Sequence, residues 1–170
     1  MSKNLKNMKK KFFLAVLIVM ISNTIVTAQK LDVSSKEGVP VILPTISNLT
    51  TLCELSENSF KSIMTNNKYI RDKDFETNPL AICYSNGIDG YMYNCSNNIT
   101  YSTEYNYIYI VFSVNKNRVY PPNAVSDLFD KLKPYYVKTD SGYYIYSYND
   151  YNIMVQYAKD LYLIFCWKKQ

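Results

Sequence analysis

Apolar and polar positions alternate most cleanly from Tyr105 to Val114, with Ile108, Ile110, Phe112 and Val114 on one side and Tyr107, Tyr109 and Val111 on the other. Period-two alternation of this kind predicts a β-strand. Three further strands are predicted near the end of the chain, at Gly142–Tyr148, Tyr151–Ala158 and Leu161–Trp167. Asn149-Asp150 and Lys159-Asp160 between them have the composition of tight hairpin turns. Helical spacing occurs twice. Phe60, Ile63 and Met64 form a stripe behind Ser56, a good N-cap, with Leu55 and Phe60 at the staple positions on either side. Val125, Leu128, Phe129 and Leu132 recur at i, i+3, i+4 and i+7 after Pro121-Pro122, and Pro134 ends that helix.

The remaining segments are less periodic. Gln29 to about Ser47 reads as an extended lead-in, with Val41-Ile42-Leu43 between Pro40 and Pro44 as an edge strand. Cys53 then enters the first helix from a strand or turn. Gly87-Ile88-Asp89-Gly90 reads as a turn between AICYS and YMYNC, and Ser96–Thr100 as a polar loop. The expected fold class is α+β: an antiparallel sheet with two short helices on one face. Residues 48–170 form the single domain, with halves at 48–116 and 117–170. Phe60 and Met64 match Leu128 and Leu132, and Tyr69-Ile70 matches Tyr136-Val137, so the halves read as tandem helix-plus-meander units. Chance explains the match as well as duplication does.

In outline, Leu52 to Trp167 resembles the β-lactamase-inhibitor-like architecture of small secreted bacterial proteins. No diagnostic motif accompanies the likeness, so no functional residue carries over. The resemblance implies a binding module without an active site.

The first residues change the charge argument. Lys3, Lys6, Lys9, Lys10 and Lys11 precede an apolar run from Phe12 to Ile21, and Val26 and Ala28 supply small residues before Gln29. This is the three-part pattern of a secretory signal peptide over residues 1–28, and the apolar run is far short of the ~20 residues that span a bilayer. The expectation is an exported protein, periplasmic or secreted, from a bacterial source, with no stable membrane insertion after cleavage. The chain carries 19 Lys and Arg against 14 Asp and Glu; the leader holds five lysines and no acid, so the remainder is neutral. No clustered basic footprint is left for nucleic acid.

Four cysteines lie beyond the leader, and an even count in an exported chain suggests disulfides. A turn centred on Asp89 sets Cys83 opposite Cys95, which leaves Cys53 and Cys166 as a long-range staple; four free buried thiols are the alternative. The chain has no His, which removes His-based triads and His-ligated metals, and no C-x₂₋₄-C spacing suggests zinc. No cofactor is called for. Asp72, Asp74 and Glu76 read as a solvated loop, and Asp127 and Asp130 as a solvated helix face, although paired carboxylates leave an envelope hydrolase as an alternative. Asn48, Asn94 and Asn98 begin N-glycosylation patterns that carry no weight in a bacterium.

The aromatic sheet is the most informative feature. Folding the last three strands about their turns puts Tyr144, Tyr146, Ile153, Val155, Ile164 and Cys166 on one face. Tyr143, Ile145, Met154, Leu163, Phe165 and Trp167 fall on the other, with Ser147, Asn152 and Gln156. Asn152 and Gln156 are costly to bury without partners, so the second face should point outward. An outward apolar patch marks a binding surface. The functional expectation is a non-enzymatic protein-binding or inhibitor-like module. A carbohydrate-binding module of the cell envelope is the alternative, because aromatic faces also stack on sugars. The competing structural reading has the Val41–Leu43 segment or the other half of the chain covering this face.

Overall fold

The computed structural model describes residues 30–73, 80–86, 97–103, 108–116 and 120–170. The body runs from Leu31 to Gln170. It opens with a hairpin of β1 (Val33–Lys36) and β2 (Val39–Ile42), followed by helices α1 (Ile46–Cys53) and α2 (Glu57–Asn66). Strands β3 (Ile70–Arg71), β4 (Ala81–Ser85), β5 (Asn97–Ser102) and β6 (Tyr109–Asn115) come next. Helix α3 (Ala124–Leu132) then leads through a short 3₁₀ turn into β7 (Tyr136–Asp140), β8 (Tyr143–Tyr148), β9 (Tyr151–Tyr157) and β10 (Leu161–Lys168). The class is α+β, as the hydrophobic pattern predicts.

The main sheet has eight antiparallel strands in the order β3-β4-β5-β6-β10-β9-β8-β7. Each half is thus a helical segment followed by a four-stranded meander, and the last strands of the two halves pair at the centre, Phe112 opposite Ile164. The core lies between this sheet and the helices. Phe60 and Met64 of α2, Leu49 and Leu52 of α1, and Leu128 and Leu132 of α3 meet Ile99, Ile110, Phe112, Ile153, Val155 and Ile164. Phe60 stacks on Tyr101 at 5.1 Å and meets Tyr84 edge-on at 5.8 Å. Ser56 caps α2 by accepting from the Ser59 amide at 3.3 Å, as its position predicts.

Several segments depart from the expectation. The structure has three helices among the described residues, not two. Ile46, Leu49, Leu52 and Cys53 share a helical face behind the Thr45 cap, so Cys53 ends a helix instead of entering one. The intervening Ser, Asn and Thr residues obscured that stripe. Ser96–Thr100 is not a polar loop from Asn97 onward, because Asn97 starts β5. Asn97 is buried there with its hydrogen-bonding groups satisfied, which removes the desolvation cost that its polarity suggested. The lead-in is a true hairpin: Glu37 (φ 53°) and Gly38 (φ 81°) both adopt left-handed backbone, the geometry of a type I′ turn.

The β4–β5 register also alters the cysteine expectation. Cys83 stands opposite Thr100, not Cys95, and Cys95 lies outside the described residues, as does the Gly87–Gly90 turn. Cys53, Cys83 and Cys166 are buried, and Cys53 and Cys166 are free thiols, so the Cys53–Cys166 staple is not formed in the structure. The two residues are nevertheless neighbours, with the Cys53 thiol donating to the Cys166 carbonyl at 3.2 Å.

Candidate functional site

Strand pairing assembles the outer face row by row. Ile145 stands opposite Met154, Met154 opposite Phe165, Phe165 opposite Val111, and Val111 opposite Thr100. On one side of this row, Ser147, Asn152, Trp167 and Tyr109 form a second. On the other, Tyr143, Gln156, Leu163, Ser113 and Asn98 form a third. Tyr143, Ile145, Met154, Leu163, Phe165 and Trp167 therefore share one surface across three adjacent strands. All six are half-buried, and none belongs to the core.

At the β4–β5 end the outward positions Cys83 and Ser102 are themselves buried, whereas the described helices lie against the opposite face. Ile153, Val155, Ile164 and Cys166 are fully buried there beneath the helices, and Tyr146 is 5% exposed. Tyr144, at the same parity, is 37% exposed, because it lies toward the sheet edge beside α3. The β1–β2 hairpin also sits on this inner side: Asn97 donates to the Ile42 carbonyl at 2.8 Å, and Ile42 joins the core. Val41–Leu43 therefore does not cover the outer face, and no described helix does. Asn152 and Gln156 are half-buried on the outer side, in the same rows as Trp167 and Leu163.

Charge is the second property of the surface. The outward positions of β5, β6, β8, β9 and β10 hold Asn, Thr, Ser, Tyr, Val, Ile, Met, Gln, Leu, Phe and Trp, with no Lys, Arg, Asp or Glu among them. Charges flank it: on the edge strand β7, Lys138 stands opposite Ile145 and Asp140 opposite Tyr143, and the two pair with each other at 3.2 Å. Glu54, next to the end of α1, accepts from Tyr151 and from Lys168 at 2.9 Å. Those two hydrogen bonds, from Tyr151 and then Lys168, hold its carboxyl below the usual range. Among the described residues, Asp127 and Asp130, weighed for acid–base chemistry, are each held by a neighbour at an end of α3. Asp127 accepts from Asn123 at 2.9 Å, Asp130 pairs with Lys133 at 2.5 Å, and Asp74 and Glu76 lie outside the described residues. Among the described residues no group of His, Cys, Asp and Glu has the arrangement of a metal site.

A concave feature that no sequence period signals lies on the other side of the sheet. On the inner side, a cleft of about 470 Å³ opens between the start of α3 and the ends of β6, β9 and β10, lined by Lys116, Pro122, Val125, Ser126, Phe129, Tyr157 and Tyr162. Phe129 stacks parallel to Tyr157 at 5.9 Å, and Tyr157 meets Tyr162 edge-on at 5.2 Å. Phe129 was legible only as part of a helical core stripe. Tyr157 and Tyr162 sit on either side of the Lys159-Asp160 turn, and that flanking pair was the available signal.

No protein-family model, curated protein or solved structure matches the chain.

Proposed function

We propose that the chain, after removal of residues 1–28, acts outside the cytoplasm as a non-enzymatic protein-binding or inhibitor-like module, with the outer sheet face as its contact surface. The observation that carries this reading is the uncharged surface formed by Tyr143, Ile145, Met154, Leu163, Phe165 and Trp167, with the described helices on the other side of the sheet. The centres of protein interfaces are depleted of charge and enriched in aromatic residues and Met, which matches this composition. The partner is a protein presenting its own apolar, uncharged patch, because a charged partner surface would lose its hydration over the central strands, and the flanking Lys138 and Asp140 already neutralise each other. Trp167 and Tyr143 are the natural anchors.

The test is affinity capture from envelope and culture fractions with the purified protein, comparing the native sequence with Trp167→Ala and Phe165→Lys by mass spectrometry. One protein captured by the native sequence and lost with both variants supports the reading. Retention on glycan or peptidoglycan, with Trp167 fluorescence shifting on glycan addition, replaces it with the carbohydrate-binding alternative. Capture that both folded variants leave unchanged removes the outer face from the account.

A further inference from the structure

The inner cleft has a chemistry of its own, independent of the outer face. Its distinctive group is Lys116. The backbone amide of Lys116 donates to the Asp160 carbonyl at 2.8 Å, which fixes the residue at the mouth of the β9–β10 turn. The side-chain ammonium lies 5.4 Å from the Tyr157 ring centroid, 5.7 Å from that of Tyr162, and 3.4 Å from the Lys159 carbonyl. Each of these neighbours orients a cation, and none neutralises it. No ion pair involves Lys116 among the described residues. The cleft therefore presents one positioned positive charge with no counter-ion among the described residues.

The remaining lining sets the body of the ligand. Pro122, Val125 and Phe129 supply an apolar wall, and Ser126 and the two phenols supply hydroxyls. The volume falls within the range of small-molecule sites and is too small for a folded partner. We propose that this cleft binds a small organic carboxylate carried on a ring-sized body, with Lys116 pairing the carboxylate and Phe129, Tyr157 and Tyr162 enclosing the ring. Burial, and then the neighbouring Tyr162 and Tyr144, raise the Tyr157 phenol above its ordinary range, so it remains a neutral hydrogen-bond donor at physiological pH. An aromatic acid and an acidic sugar share this chemistry.

Ligand-observed NMR titration of the purified protein tests the assignment, with benzoate and glucuronate as probes and benzyl alcohol and glucose as their uncharged counterparts. The expected result is saturable binding of at least one acid, with its uncharged counterpart at least about tenfold weaker. Lys116→Met should weaken the acid by a similar factor, and Lys116→Arg should largely retain it. Circular dichroism of both variants separates lost binding from lost folding. Preference for benzoate identifies an aromatic acid, and preference for glucuronate an acidic sugar. Equal binding of acid and uncharged counterpart, binding indifferent to Lys116→Met, or no binding of either acid overturns the proposal. The Trp167→Ala and Phe165→Lys variants should bind the probes normally, which keeps the two surfaces separable.

Discussion

The Tyr69 phenol donates to Asn97 Oδ1 at 2.6 Å and accepts from the Ile42 amide at 2.8 Å. Asn97 in turn donates to the Ile42 carbonyl, so both polar backbone groups of Ile42 are met by side chains of the sheet body. Asn86 extends the seam by donating to the Pro40 carbonyl at 2.9 Å and accepting from the Asn97 amide. On the other side of the hairpin, Asn48 donates to the carbonyls of Asp32 and Leu43 and accepts from the Asp32 amide. These buried polar side chains sew the β1–β2 hairpin onto the inner face, which is why that segment is not free to cross to the outer one.

Tyr69→Phe removes one hydroxyl from this seam and leaves two buried groups, the Ile42 amide and Asn97 Oδ1, without that partner. An unsatisfied buried group costs about 1–3 kcal/mol. The variant should therefore unfold at lower urea with an unchanged slope, because the loss is local and the buried surface is nearly the same. Unaltered stability would mean that the hairpin is held by its apolar contacts alone.

Phe60 is fully buried between Tyr84 and Tyr101. Phe60→Ala should cost about 3–5 kcal/mol, the usual range for a phenylalanine deleted from a packed core. Phe129→Ala should cost less, since that ring is only partly buried at the edge of the inner cleft. Urea melts of the two variants rank them, and the reverse order would displace the core from the α2 side of the sheet.

The thiols give a chemical check on the core. Cys53, Cys83 and Cys166 are buried, and the Cys166 thiol is pushed upward first by its hydrogen bond with Cys53 and then by burial. Thiolate is the reactive form, so all three should resist Ellman's reagent in the folded protein. On unfolding without reductant Cys53 and Cys166 should both react, as peptide mapping would show. Persistent protection of Cys53 and Cys166 in the unfolded protein would instead mean that they are joined.

Tyrosine burial sets an alkaline limit. Burial, followed by the neighbouring Tyr157, Tyr144 and Tyr136, pushes the Tyr146 phenol up to about 12 from an ordinary value of 10.0. Tyr101, Tyr151 and Tyr157 are also raised, chiefly by burial. The folded state holds these protons more tightly than the unfolded chain does. Their contribution is complete below about pH 10 and is lost as pH rises toward 12. Urea midpoints should be level below that window and fall through it, with phenolate absorbance rising in step. A midpoint independent of pH across it would place the rings in water.

The most legible parts of the fold were those where side-chain period and turn chemistry agreed. The β8–β10 meander followed from alternation about Asn149-Asp150 and Lys159-Asp160, and Asn149 adopts the left-handed backbone (φ 48°) that such a turn uses. The α2 and α3 stripes followed from apolar spacing. What was hidden depended on long-range polar satisfaction. Asn48 and Asn97 looked like surface residues, yet each is about as buried as the leucines around it because distant backbone groups meet its side chain. The outer face was legible from Asn152 and Gln156. The cleft was not, because it joins β6 to α3 and the β9–β10 turn, which no local period connects.

Ile164 and Phe165 are consecutive residues on opposite faces, so they separate the two sides of the sheet in one experiment. Ile164 is fully buried and pairs with Phe112 and Val155, whereas Phe165 is half-buried between Met154 and Val111. Ile164→Asp puts a carboxylate into the core without a partner, which costs several kcal/mol and should abolish the folded state. Phe165→Lys places its charge where the ammonium reaches water past neighbouring side chains, so its cost should stay near about 1 kcal/mol. Circular dichroism and urea melts read both outcomes. If Phe165→Lys unfolds the protein as thoroughly as Ile164→Asp, the outer face is itself a core surface, covered in the folded chain. A contact role for Trp167 and its neighbours would then have to be abandoned. If Phe165→Lys folds and its solubility rises, the face is open to solvent and available to a partner.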